Sequence, residues 1–204
     1  MPDLAELVAP GRAAVLTQEC QKGVLGDHAV FPQLAEAARV FAIPNMSRLV
    51  SAARASSVPV VHCIAARRPD LAGYNTNARI FGAAKKSGVS LAPGTEATQV
   101  IDEIGVAESD LVCTRMHGIG PFWGTELDPI LRNLGVATVI AIGVSVNVGV
   151  TNLVMDAVNA SYNVVLPRDA VCGIPADYAD AVIDNTLSLL ATLTTTDEIL
   201  KVWS

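Results

Sequence analysis

Five short apolar runs, none containing an Asp, Glu, Lys or Arg, set the strongest limit on what this chain can become. They are Ala13–Thr17, Val58–Ile64, Leu111–Thr114, Ala137–Ile142 and Tyr162–Leu166, and each releases into a polar or glycine-containing turn. A strand without charge is best covered on both faces, which is the situation of a parallel sheet lying between two layers of helices. Between the runs the periodicity becomes helical. Ile43–Ala55 places Leu49 and Val50 inward and Arg48 and Arg54 outward, and Asn147–Ala160 is apolar over most of its surface. Thr125–Asp128 opens another helix in capping-box fashion, closed at Gly135, and Tyr178–Leu190 forms a fourth. The segment 67–94, rich in Gly, Asn, Pro and charge, reads as a long excursion with one short helix, and 194–202 supplies an edge strand and a short helix. Strands alternating with helices predict right-handed βαβ units, hence an α/β fold of three αβα layers, Rossmann-like, around a mostly parallel sheet. The 204 residues suit a single domain over 1–204.

Composition narrows the partners. Fourteen Lys and Arg against twenty Asp and Glu leave a formal charge of −6, which argues against nucleic acid. No apolar run has the length to span a bilayer, and Met1–Arg12 carries acids rather than a basic leader, so a cytoplasmic protein with no membrane partner is expected. Cys20, Cys63, Cys113 and Cys172 are widely spaced and form no CxxC pair. With no Asp-x-His-x-His cluster either, neither a disulfide framework nor a metal or cofactor is implied.

In sheets of this kind ligands bind beyond the carboxyl ends of the strands, which selects four segments for chemistry. Glu19 leaves the first strand where a partly dehydrated carboxyl can serve proton transfer; the alternative is an ordinary surface acid. Arg115 occupies the matching place after the third run, where its fixed charge can clamp a carboxylate, or pair with Glu19 itself and oppose a role for it as an acid. In the stretch His117–Gly124, Phe122 and Trp123 can wall an apolar pocket, while His117 is either a proton carrier or, more simply, a solvated loop residue. The turn Gly143–Gly149 leads into a helix whose N-terminus and backbone N–H groups can receive an anion. In that turn Ser145 is the one hydroxyl, with no base beside it in the sequence, and Asn147 reads as an N-cap before it reads as a substrate contact. Arg67, Arg68, Arg79, Lys85 and Lys86 give the excursion a local positive excess, suited equally to steering an anionic substrate or to a solvated face.

These segments together resemble the isochorismatase-like (cysteine hydrolase) superfamily over roughly residues 12 to 202. Ala14–Gln21 is similar to its first strand and the turn after it, and Thr114–His117 with Pro121–Asp128 to its lysine segment and the helix start that follows. Leu131–Gly149 resembles the run that normally delivers the cysteine, and Asn163–Val171 the next strand with its Asp-Ala tail. The family's Asp-Lys-Cys triad falls on Glu19, Arg115 and Gly149, so all three are replaced, and a glycine offers no nucleophile. The branch that hydrolyses a vinyl ether also has glycine there and needs no covalent intermediate, though it keeps a lysine where this chain has Arg115. The resemblance therefore implies a hydrolase acting without a covalent step on a small anionic metabolite. Glu19 would move the proton, Arg115 would anchor a carboxylate, and the 145–149 turn would stabilise negative charge. It also implies a homo-oligomer. Two alternatives stand beside it: a catalytically silent member that binds a small molecule or a protein, and an amidohydrolase with a relocated thiol, Cys20 being nearest.

Overall fold

A computed structural model describes residues 3–204. The strands are β1 (Ala13–Gln18), β2 (Val60–Ala65), β3 (Leu111–Arg115), β4 (Thr138–Val144), β5 (Asn163–Pro167), β6 (Val171–Cys172) and β7 (Thr192–Thr194). They form one sheet in the order β3-β2-β1-β4-β5-β7, with β6 beside the end of β4. Every pairing between these strands is parallel. The α-helices are α1 (Leu4–Leu7), α2 (Lys22–Leu25), α3 (Pro32–Ala55), α4 (Arg79–Lys86), α5 (Leu127–Asn133), α6 (Thr151–Asn159), α7 (Ala176–Asn185) and α8 (Thr196–Trp203).

Alternation along the central strands divides the interior into two halves. Ala13 and Val15 of β1, with Ile140 and Ile142 of β4, pack under α1, α3 and α8. Ala14 and Leu16, with Val139 and Ala141, pack under α5, α6 and α7. Leu16, Ile140, Ile142 and Leu153 are fully buried, and each such side chain contributes roughly 2 kcal/mol of transfer free energy. This is the three-layer arrangement expected from uncharged strands. No described helix is long and apolar enough to cross a membrane.

Three local expectations are corrected. Helix α3 begins at Pro32, not near Ile43, and runs through Pro44. The N–H missing at Pro44 would have served the carbonyl of Val40, a residue 81% exposed, so solvent can take its place. No capping box forms at Thr125–Asp128. Thr125 donates its hydroxyl to the Pro121 carbonyl and accepts from Leu127 N–H, while Asp128 is drawn to Tyr162 and Arg132. A capping box forms instead at Thr195 and Glu198, opening α8. The segment read as one helix from Asn147 is a π-helical turn, Val146–Val150, followed by α6.

A buried polar knot ties the β2–β3 edge to α3. His62 contacts Thr17 Oγ1 through Nδ1 at 2.9 Å and Asp110 Oδ2 through Nε2 at 3.1 Å. Arg54 donates to both Asp110 oxygens, at 3.2 and 2.6 Å, and Ala107 N–H donates to Oδ2 at 2.8 Å. With Asp110 ionised, Nε2–H of His62 donates to it and Nδ1 accepts from the Thr17 hydroxyl.

Candidate active site

The chain lays β1, β2 and β3 outward to one side, then returns to place β4 on the other side of β1. Crossovers reverse direction there, opening a crevice at the carboxyl ends of the strands. A pocket of about 780 Å³, mouth included, occupies it. Four strand ends supply its floor: Glu19 after β1, Arg67 after β2, Arg115 closing β3, and Ser145 with Gly149 after β4. Phe31 at the start of α3 and Ile80 and Phe81 of α4 form apolar walls.

Glu19 sits at φ +55, a left-handed backbone that costs a non-glycine residue about 1 kcal/mol or more. Its N–H donates to Cys63 O at 2.9 Å, which holds the turn against β2. Gln21 completes the lock: its Oε1 accepts from Ala65 N–H at 2.6 Å, and its Nε2 donates to Ala65 O at 2.8 Å and Ala97 O at 3.1 Å. So fixed, the Glu19 carboxylate receives a close hydrogen bond from Arg115 Nη2 and a long one, 3.4 Å, from Gln18 Nε2. The Arg115 side chain is 9% exposed and that of Glu19 is 20% exposed, so the pair is largely withdrawn from water. Arg115 also donates Nε to Gly118 O at 3.3 Å, which leaves Nη1 buried without a partner.

Beside this pair lies Gly149. A Cβ there would stand 3.0 Å from Val144 O and 3.2 Å from Gln18 Nε2, so any side chain at this position would be backed by the Gln18 carboxamide. The helix N-terminus expected at Asn147 is present as the π-helical turn Val146–Val150, which runs directly into α6, and no side-chain hydrogen bond caps it. In the π-helical turn, Val148 and Val150 N–H both donate to Ser145 O, at 3.1 and 2.9 Å. Nor is Asn147 an N-cap: it donates Nδ2 to Ile174 O at 3.3 Å and does not line the pocket.

The structure thus brings Glu19, Arg115, Gly149, Ser145 and His117 to one pocket, with His117 at the exposed mouth. Phe122 and Trp123 are not brought there. Phe122 packs against Tyr162 with ring centroids 6.0 Å apart, in the core under α5 and α6, and Trp123 is 76% exposed. The positive excess of the excursion divides. Arg68 pairs with Asp70, and Arg79, Lys85 and Lys86 are exposed. Arg67 alone turns inward, 5% exposed, donating Nη2 to Ala84 O and Val89 O at 3.0 and 2.6 Å and lying 5.4 Å from the Tyr74 ring centre. Its burial, and the Phe31 and Phe81 walls, escaped the sequence reading. The run of four small or apolar residues before Arg67, continuing β2 without a polar break, was the available signal.

All four thiols are buried. Burial, then the nearby negative charge of Glu19, pushes the Cys20 thiol up to about 12, and its Sγ faces Met46 Sδ at 3.7 Å on the α3 side of the sheet. Burial likewise pushes up Cys63, Cys113 and Cys172. A relocated thiol nucleophile has no support in this geometry. Among the described residues no group of three or more His, Cys, Asp or Glu is placed to hold a metal ion.

Comparison with known proteins agrees with this architecture. A sequence model of the Isochorismatase domain matches residues 13–198. The chain is 29% identical over 98 residues to the uncharacterized isochorismatase family protein YecD of Escherichia coli O157:H7, covering 48% of this chain and 52% of that one. It is 25% identical over 147 residues to the ureidoacrylate amidohydrolase RutB of Rhizobium rhizogenes, covering 67% of this chain and 59% of that one. The chain therefore spans about half the length of the curated relatives it matches. In three dimensions it is similar to a cysteine hydrolase from Pseudomonas syringae pv. phaseolicola, with a TM-score of 0.84 at 22% identity over 97% of this chain and 94% of that one.

Proposed function

The chain belongs to the Isochorismatase domain family, and from that premise we propose that it is a hydrolase of a small anionic metabolite that works without a covalent enzyme intermediate. The observation that carries the reading is the Glu19–Arg115 ion pair, set at the floor of an apolar pocket beside a glycine in the nucleophile position. In that pair Glu19 is a carboxylate. It relays a proton of water to the substrate. For a vinyl ether the proton goes to the alkene carbon, water adds to the oxocarbenium carbon so formed, and the hemiketal collapses to a carbonyl and the departing alcohol. For a ureido or amide bond, water adds to the carbonyl and the proton goes to the departing nitrogen, so one water is consumed in either case. Arg115 keeps the carboxylate in place and offers its unpartnered Nη1 to a substrate carboxylate or to the oxygen beside the scissile bond. The bond is a vinyl ether or one of similar lability. The resemblance to a ureidoacrylate amidohydrolase adds small ureido acids to the candidates.

The test is a panel of small organic acids bearing enol ether, N-carbamoyl and amide linkages, followed by NMR. Turnover of a substrate found this way falls at least about 100-fold in kcat with Glu19→Gln and is kept by Cys20→Ser. Unchanged turnover by Glu19→Gln overturns the assignment. The absence of any accessible thiol also favours a second reading, a member that binds without turnover. A pocket that holds such acids while leaving every linkage intact would select it.

A further inference from the structure

Arg67 carries a charge that nothing around it neutralises. Arg115, equally buried, is paired with Glu19, and Arg54 is paired with Asp110. Among the described residues no carboxylate forms an ion pair with Arg67. Its Nη2 is satisfied by two carbonyls and its face by Tyr74, but Nη1 is buried with no hydrogen-bond partner. A buried guanidinium without a counter-charge is destabilising, and such a cost persists where a ligand supplies the missing anion. Arg67 lines the same pocket as Glu19 and Arg115, among the apolar side chains of Leu91, Phe81 and Ala84. The charge in that pocket is therefore two guanidinium groups against one carboxylate, which leaves room for one negative charge.

We infer that Arg67 is the receptor for the anionic group of the substrate, and that the substrate class is a small organic monoanion. Its carboxylate meets Arg67, its carbon body lies against Phe31, Ile80 and Phe81, and its cleavable bond reaches toward Glu19. Arg115, already paired, is then left to a neutral acceptor at the reacting end. This rests on the pocket being the substrate site, as proposed above, but not on hydrolysis taking place there.

Benzoate and its neutral counterpart benzamide are suitable probes, because they share a flat apolar body and differ in charge. By calorimetry, benzoate binds the wild-type protein at least about tenfold more tightly than benzamide. Arg67→Met removes that advantage and leaves benzamide unchanged, and Arg67→Lys retains part of it. On the wild-type protein itself, the arginine side-chain 15N–1H signal of Arg67 shifts with benzoate and not with benzamide, a measurement that stands even if Arg67→Met does not fold. Equal affinity for the two probes, no binding of either, an advantage that survives Arg67→Met, or a benzoate-dependent shift at Arg115 alone would each overturn the proposal. The assay needs no turnover, so a protein that binds as described yet hydrolyses nothing loses the proposed reaction and keeps the anion receptor.

Discussion

Gly143 sits at φ +113, and a Cβ placed there would lie 2.3 Å from the carbonyl oxygen of Gln18, which belongs to the neighbouring strand β1. Backbone cannot yield as a side chain does, so Gly143→Ala is expected to cost at least about 3 kcal/mol in urea unfolding, from a strained φ and a forced β1–β4 separation. Gly149 differs in degree. The tight neighbours of its Cβ would be a carbonyl at 3.0 Å and the movable end of Gln18, so Gly149→Ala should cost only about 1 kcal/mol by the same measurement. Gln21 is the polar counterpart. Its carboxamide satisfies both the N–H and the C=O of Ala65, and Gln21→Ala leaves these half-buried groups without a protein partner, a loss of about 1–2 kcal/mol seen as a lower urea midpoint. Of these residues, Glu19, Arg115 and Gly149 were legible in the sequence because each follows an uncharged run at a strand end. The roles of Gln18 and Gln21 were not, because a glutamine in a turn reads as solvated until the strand beside it is known.

Among the secondary-structure elements, the knot of His62, Asp110 and Arg54 pins β2, the entry to β3 and α3 together. Burial lowers the pKa of His62; the bond and charge of Asp110 oppose this, and the charge of Arg54 adds to it. Burial pushes Asp110 upward, yet the bonds from Arg54, Ala107 N–H and His62 hold it below the ordinary value. Both groups thus bind protons less readily folded than unfolded. The contribution of His62 is fully present above its unfolded value of 6.5 and is lost as pH falls through its lower folded pKa; that of Asp110 follows below 3.8. Thermal unfolding between pH 5 and 7.5 should therefore show Tm rising with pH, and His62→Asn should flatten that rise. Sequence periodicity found the strands here and the later half of α3, but not the knot, whose members lie on three separate segments. It placed the start of α3 too late because Pro44 looks like a first-turn residue, whereas Pro32 takes that position and Pro44 is tolerated beside an exposed carbonyl.

For the molecule as a whole, the alternation of uncharged runs with helical segments was sufficient to read a three-layer fold around a parallel sheet, since few other arrangements cover strands on both faces. The pocket was legible only as four strand ends; its walls come from the long excursion and the start of α3, where composition is mixed and no period announces burial. The free, buried state of every cysteine gives a global test. A thiol reagent such as DTNB should find no fast-reacting group in the native protein and four after denaturation. One consequence of the strand order concerns how the molecule is made. Ala13 of β1 is the register partner of Thr138 in β4, so the first strand to emerge during synthesis waits for most of the polypeptide before its second neighbour exists. Until then one long margin of an uncharged strand stands open on the growing chain, and it is in that interval, rather than in the finished protein, that chaperones and aggregation compete for it.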